Sequence, residues 1–240
     1  MEPTASFAEL AFFQDLNSRT RDSLGSAARV VSCSRGRMIY RAKEPIKKIC
    51  FQLQGKSILY NVTHNGSRKI IFVLGPGELL NDHVLNIHES SLFCEAIEKS
   101  LVLEIPSRIF LEEMEKDFSL TKKVIAAQER KIWRMGHQLK NTRGNIYLEK
   151  KLAAKLWKLA RDFGRKTEDG IEIDFNISVT FLADLLGVPR ETASRSCRAL
   201  TERRLISMDR KRITILDPNR IACFYKADPM QESSFHDRVL

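Results

Sequence analysis

No two of the five cysteines in this 240-residue chain stand at C-x-x-C spacing. Cys33, Cys50, Cys94, Cys197 and Cys223 are scattered, which excludes a zinc site or an iron–sulfur cluster built on neighbouring thiolates and leaves reduced, buried thiols as the expectation. Long apolar runs are missing too: nothing approaches the roughly 20 residues of a membrane-spanning helix. The opening MEPTASFAELAFF lacks a basic start followed by an apolar stretch, so a cytoplasmic location without a secretory signal is expected. His64, Glu78, Asp82 and His83 could be assembled on paper into a hydrolytic or metal site. Yet no H-x-x-x-H, H-E-x-x-H, G-x-S-x-G or phosphate-loop pattern occurs, and enzymatic activity is not expected. Internal repeats and low-complexity tracts are likewise absent.

What the chain does have is positive charge. Its formal net charge is +10, with 43% hydrophobic and 29% charged residues. That is ordinary for a chain with a real core but basic enough to suit a polyanionic partner. Between Lys140 and Arg220 stand 18 Lys and Arg against 11 Asp and Glu, so this segment carries +7 of the total.

From about Arg29 to Ile105 short apolar runs alternate with turn signals. The runs are Ile49-Cys50-Phe51, Ile58-Leu59-Tyr60, Ile70 to Leu74 and Leu101-Val102-Leu103; the turns are Gly36, Gly55, Asn65-Gly66 and Gly75-Pro76-Gly77. Asn-Gly between two β-rich runs signals a hairpin, and many short strands at this spacing suggest a sandwich or barrel. From Ser107 the period becomes helical. Phe118, Thr121, Ile125, Gln128, Ile132, Met135, Leu139 and Thr142 recur at spacings of three and four. Such a stripe predicts a long helix whose Ile125, Gln128, Ile132, Met135 and Leu139 meet a second copy of the chain. Asn141-Thr142-Arg143-Gly144 would break it as a hinge, and a further helix would run from about Asn145 to Phe163, with Gly164 as its stop. The polar residues after Ala227 read as a tail.

Residues 178–216 predict a helix (Thr180–Leu186), a turn at Gly187, a second helix (Pro189 to about Arg203) and a hairpin made of Leu205-Ile206-Ser207 and Ile213-Thr214-Ile215. This is a winged helix-turn-helix. Arg190, Glu191, Ser194 and Arg195 cluster on one side of the second helix, the element that enters a major groove in this motif. Arginine can donate twice to guanine O6 and N7, and glutamate can accept from cytosine N4. Glu191 and Arg195, four residues apart, could also pair with each other. Thr180, Thr192, Arg198, Lys211 and Arg212 are assigned to phosphate.

RETASR, with LADLLGVP before it and LTERRLISMDRKRITI after it, resembles the recognition element of the cyclic-AMP receptor protein/FNR (Crp/Fnr) family of bacterial transcription regulators. SRGRMIYRAKEPIKKICFQLQGKSILYNVTHNGSRKIIFVLGPGEL is similar to that family's sensor domain. The resemblance implies an α+β architecture: a cupin-like β-roll sensor (1–115), a dimerisation helix with hinge (116–143), a winged helix-turn-helix (144–227) and a polar tail (228–240). It implies double-stranded DNA, a second copy, RNA polymerase and a small-molecule or gas effector as partners, with no membrane. R-E-T-x-x-R is the pattern of members reading TGTGA-like half-sites and E-T-x-S-R resembles members reading TTGAT-like ones; together they imply an inverted repeat of TTGTGA-like half-sites.

The family's cyclic-nucleotide members hold the phosphate with an arginine–serine pair after Gly-Glu-Leu. Here Gly77-Glu78-Leu79 is present, but no arginine occurs between Lys69 and Arg108, across the stretch Asn81-Asp82-His83 to Leu92. Cyclic AMP is therefore not the expected effector, although a cyclic-nucleotide-responsive regulator stays as an alternative. Haem with a diatomic gas such as nitric oxide is a second candidate, with His83 as ligand and Met135 and His137 near it. A small organic ligand lined by Asn81, Asp82, Trp133 and Met135 is another, and thiol oxidation a further one. The iron–sulfur members' N-terminal cysteine cluster is absent, so that cofactor is not expected.

Overall fold

The computed structural model describes Phe7, residues 10–85, 89–140 and 148–226, without the side chains of Leu139 and Lys140. The hinge 141–144, the tail 228–240 and Asn86 to His88 lie outside the described residues. The chain divides into two compact units, Met1–Gly136 and His137–Leu240.

The first unit opens with helix α1 (Ser18–Ala27), whose first turn is capped by Asn17 accepting from Thr20 N. Seven strands follow: β1 (Arg29–Cys33), β2 (Met38–Tyr40), β3 (Lys48–Gln54), β4 (Ser57–Val62), β5 (Arg68–Leu74), β6 (Phe93–Ala96) and β7 (Ser100–Pro106). They form two antiparallel sheets, ordered β1-β7-β3 and β2-β6-β4-β5. The Asn65-Gly66 signal does join β4 to β5, with Val62 opposite Arg68 and Gly66 at φ +76°. Gly55 has a second reason to be glycine, because a Cβ there would stand 2.6 Å from the Lys99 carbonyl oxygen. Phe13, Phe51, Leu103 and Phe110 fill one core, and Leu59, Phe72, Leu80 and Val102 a second.

The helical segment is two helices, α2 (Ser107–Lys116) and α3 (Phe118–Lys140). Asp117 separates them: its carboxylate accepts from Ser119 N at 2.9 Å and Asn17 Nδ2 at 2.9 Å. Burial alone would push its pKa up, but the hydrogen-bond donors around it outweigh that and leave the carboxyl below its ordinary value. On α3, Leu120, Val124, Ala127 and Lys131 are buried at helical spacing, whereas Phe118, Ile125 and Ile132 are 69%, 48% and 63% exposed. Phe118, Ile125, Ile132 and Met135 of the stripe read from the sequence thus face outward, whereas Thr121 and Gln128 are half-buried and bond to Met114 and Asn81 of their own unit.

The second unit contains α4 (Leu148–Phe163), β8 (Gly164–Thr167), β9 (Gly170–Ile173), α5 (Val179–Leu186), α6 (Arg190–Glu202), β10 (Ile206–Asp209), β11 (Arg212–Ile215) and α7 (Pro218–Lys226). Leu152, Leu156 and Leu159 bury one side of α4. The hairpin β10–β11 matches the sequence reading, but it belongs to a four-stranded sheet, β10-β11-β9-β8, whose other hairpin the reading lacked. Asp169-Gly170 is the turn signal that marks it. Gly164 opens β8 rather than closing α4 with a left-handed residue; a Cβ there would fall 2.1 Å from the Ala160 carbonyl oxygen. Close packing, not backbone handedness, demands that glycine.

Candidate DNA-reading surface and sensor site

Local chemistry sets the two helices of the second unit. Ser178 caps α5 by accepting from Phe181 N at 3.1 Å. Gly187, at φ +72°, ends the helix by donating to the Ala183 carbonyl at 2.7 Å. Pro189 then stands just before α6, where its missing N–H costs nothing. Ala193, Cys197 and Leu200 of α6 are buried, so the helix has one orientation available and turns Arg190, Glu191, Arg195 and Arg198 to solvent. Ser194 is half-buried on the edge of that surface. Glu191 in the first turn also suits the helix dipole.

One expectation fails here. Arg195 Nη2 approaches Thr192 Oγ1 at 3.4 Å, and no ion pair joins it to Glu191 among the described residues. A fully exposed i,i+4 pair contributes only about 0.3–0.5 kcal/mol, too little to hold two mobile side chains together. Both charged groups therefore stay available to a partner. Of the phosphate candidates, Thr180, Arg198 and Lys211 are exposed and Thr192 is half-buried. Arg212 differs, since its guanidinium faces Glu172 at 3.8 Å and Asp174 at 3.7 Å.

In the first unit, the residues after β5 are held in detail. Asn81 is 3% exposed; its Oδ1 accepts from Cys50 N at 2.7 Å and its Nδ2 donates to the Lys48 carbonyl at 3.0 Å. Asp82 accepts from Ser90 Oγ at 2.8 Å, Ser91 N at 2.7 Å and Leu92 N at 3.1 Å. His83 Nε2 lies 2.6 Å from Ser91 Oγ and 3.9 Å from the Asp82 carboxylate. Met135 and Trp133 are 41% and 59% exposed, and His137, exposed as well, opens the second unit.

Sequence reasoning missed Lys131 and Arg134, and gave to the dimer face a Gln128 that α3 turns toward this loop. Lys131 Nζ donates to the Asn81 carbonyl at 2.6 Å, and Gln128 Nε2 donates to the same oxygen at 3.3 Å. One turn on, Arg134 meets Glu78 Oε1 at 2.8 Å and the Val73 carbonyl at 3.1 Å. The stretch without arginine is thus supplied with cations from elsewhere, which corrects the inference that this neighbourhood lacks them. Burial pushes the Lys131 amine down to about 8, against the opposing pull of Asp82 and Glu78. The only available signal was the i, i+3, i+6 spacing of Gln128, Lys131 and Arg134.

Among the described residues no group of three His, Cys, Asp or Glu is placed to hold a metal, and no helix is long and apolar enough to cross a membrane. Cys33, Cys50, Cys94 and Cys197 are buried and Cys223 is exposed. Burial raises the thiols of Cys33, Cys50 and Cys94 and pushes Cys197 up to about 11. A native thiol-labelling assay with Ellman's reagent is therefore expected to modify Cys223 quickly and the other four only on unfolding. Rapid labelling of a second thiol, with loss of DNA binding, would instead support thiol regulation.

Residues 30–117 match the model of the cyclic nucleotide-binding domain, and residues 150–224 match that of the Crp-like helix-turn-helix domain. The chain is 25% identical to the anaerobic regulatory protein of Pasteurella multocida, over 88% of this chain and 78% of that one. It is 40% identical to the global nitrogen regulator of Synechococcus elongatus over 68 residues, 28% of this chain and 31% of that one. Its fold resembles that of FixK2 from Bradyrhizobium japonicum, with a TM-score of 0.71 and 20% identity, covering 84% of this chain and 98% of the other. With a β-roll matching the one model, an exposed recognition helix in the other and regulators among its relatives, the chain belongs to the Crp/Fnr family of transcription regulators, with a DNA-binding helix-turn-helix.

Proposed function

We propose that this chain acts as an effector-responsive homodimer that reads an inverted repeat of TTGTGA-like half-sites. The carrying observation is the surface of α6, where Arg190, Glu191 and Arg195 are exposed while Ala193, Cys197 and Leu200 fix the helix from behind. Arg190 and Arg195 each address a guanine, Glu191 the cytosine opposite one of them, and Ser194 the edge of the same site. Arg198, Lys211, Thr180 and Thr192 contact phosphate; Arg212 joins them once released from Glu172 and Asp174. Two such helices must stand about one DNA turn, roughly 34 Å, apart.

In this reading residues 1–115 sense, 116–143 dimerise and 144–227 bind DNA. An effector shifts the population of dimers toward the spacing that both half-sites accept, and RNA polymerase is the downstream partner. The engagement of His83 Nε2 by Ser91 favours a small organic effector over haem with a gas such as nitric oxide. A cyclic nucleotide is the second reading, favoured by the domain model over residues 30–117. The absence of an arginine between Lys69 and Arg108 removes the phosphate-holding pair that the family's cyclic-nucleotide members carry, although Lys131 and Arg134 reach the same loop from α3. Selection from a randomised duplex pool with the purified chain is the test. Enrichment of paired GTGA-like cores at one-turn spacing is expected, and a pool enriched in any other core overturns the reading.

A further inference from the structure

We infer that Arg210, at the tip of the wing, reads a minor groove beside the base pairs that α6 addresses and selects A·T-rich DNA there. This rests on the reading of α6 as the base-reading helix and adds a second specificity-determining element to it. Strands β10 and β11 pair from Ile206 opposite Ile215 to Asp209 opposite Arg212, so Arg210 and Lys211 alone form the turn. Arg210 stands at φ +52°, in the left-handed region that two-residue turns normally fill with glycine, asparagine or aspartate. An arginine there carries a steric cost that a glycine would not. Its side chain is exposed, and no hydrogen bond or ion pair holds its guanidinium among the described residues.

The other cations of the tip have different surroundings. Arg212 faces Glu172 at 3.8 Å and Asp174 at 3.7 Å, so its charge is largely countered. The Lys211 carbonyl accepts from Ile177 N at 2.7 Å, which ties the turn to the segment before α5 and gives the tip a defined position. Of the two exposed cations, Lys211 carries a compact, strongly hydrated ammonium that suits a phosphate. Arg210 carries a planar, weakly hydrated guanidinium, which sheds water more readily to enter a groove. The wing also follows the reading helix closely, β10 opening at Ile206 after α6 closes at Glu202. A side chain projected from its tip meets the groove next to the one that α6 fills.

Minor-groove chemistry supplies the selectivity. A groove about 6 Å wide admits one extended side chain but not a two-stranded ribbon. A·T pairs show only acceptors there, adenine N3 and thymine O2, whereas a G·C pair adds the guanine amino group, a donor that opposes an arginine donor. Runs of A·T also narrow the groove and deepen its negative potential, which attracts a guanidinium. Arg210 thus adds a preference at base pairs that α6 never touches.

The experiment is titration of the full chain with labelled duplexes at fixed salt. Each duplex carries one inverted repeat of TTGTGA-like half-sites, and its outer flanks and central spacer are made A·T-rich, G·C-rich or inosine·cytosine-rich in turn. Inosine lacks guanine's minor-groove amino group but keeps its major-groove edge. In one of the two placements the A·T-rich duplex is expected to bind about tenfold tighter than the G·C-rich one, about 1.4 kcal/mol over two subunits, with inosine·cytosine close to A·T. Arg210→Gly, which suits φ +52°, should keep the fold and the preference for the repeat over a scrambled core while erasing the flank preference. Lys211→Ala should weaken all duplexes alike. If flank composition has no effect, if inosine·cytosine binds like G·C, or if Arg210→Gly keeps the flank preference, the inference is overturned. A flat flank response with intact selection of the repeat removes this inference alone. A wild type that binds repeat and scrambled core equally removes the reading of α6 on which it rests.

Discussion

Replacing Arg195 with alanine is expected to lower affinity for the operator by between roughly thirtyfold and twenty-thousandfold, while binding to random duplex changes little. The range follows from symmetry. One bidentate arginine–guanine contact discriminates by about 1–3 kcal/mol, and a symmetric dimer makes it once in each half-site, giving about 2–6 kcal/mol. Folding should be untouched, because Arg195 is exposed and its contact within the chain is the long one to Thr192. Arg198→Ala is the informative companion. A phosphate contact adds affinity to every sequence, so its loss should leave the specificity ratio alone and reduce the salt slope by nearly two, one contact from each subunit. Fluorescence anisotropy with operator and scrambled duplexes, at several salt concentrations, measures both quantities at once. A variant at position 195 that keeps its preference for the operator would remove Arg195 from the base-reading set.

Why the helix-turn-helix could be read from the chain, and the cations that α3 brings to the loop after β5 could not, comes down to range. The segment around Gly187 is governed by neighbours in sequence: a left-handed glycine, a proline outside the helix start, small buried residues at fixed spacing. Asn65-Gly66 specified its hairpin for the same reason. Lys131 and Arg134, by contrast, look like ordinary surface cations on a helix already marked by an apolar stripe. Their burial arises because a second face of α3 closes on a loop some 50 residues away in sequence, and periodicity carries no record of that approach. The hairpin β8–β9 was lost differently, its Asp169-Gly170 turn being flanked by strands of four residues each, too short to show alternation. The Glu191–Arg195 pair shows the opposite error. Spacing permitted it, but in water the energy of such a pair is too small to enforce it.

The exposed stripe of α3 carries the second large effect. Ile132→Asp is expected to leave each chain folded and to turn the protein into a monomer at micromolar concentration. Ile132 is 63% exposed, so the substitution removes little from the chain's own core. In a dimer the seven-residue spacing of Phe118, Ile125 and Ile132 brings like residues of two helices to one seam. Burying an isoleucine side chain there contributes about 1.5–3 kcal/mol on each side. An aspartate in its place forfeits that gain and faces its symmetry mate as a second unpaired, desolvated charge, at a cost of several kcal/mol per ion. The sum exceeds about 5 kcal/mol, more than a thousandfold in the dimer's Kd at about 1.4 kcal/mol per decade. Specific DNA binding should fall with it, because a single recognition helix reads one half-site and loses the gain from linking two. Sedimentation velocity and operator titration on the same sample test the chain of argument link by link. A variant that still sediments as a dimer would move the interface off this face of α3, and one that is monomeric yet binds the full operator as tightly as the wild type would break the connection between pairing and recognition.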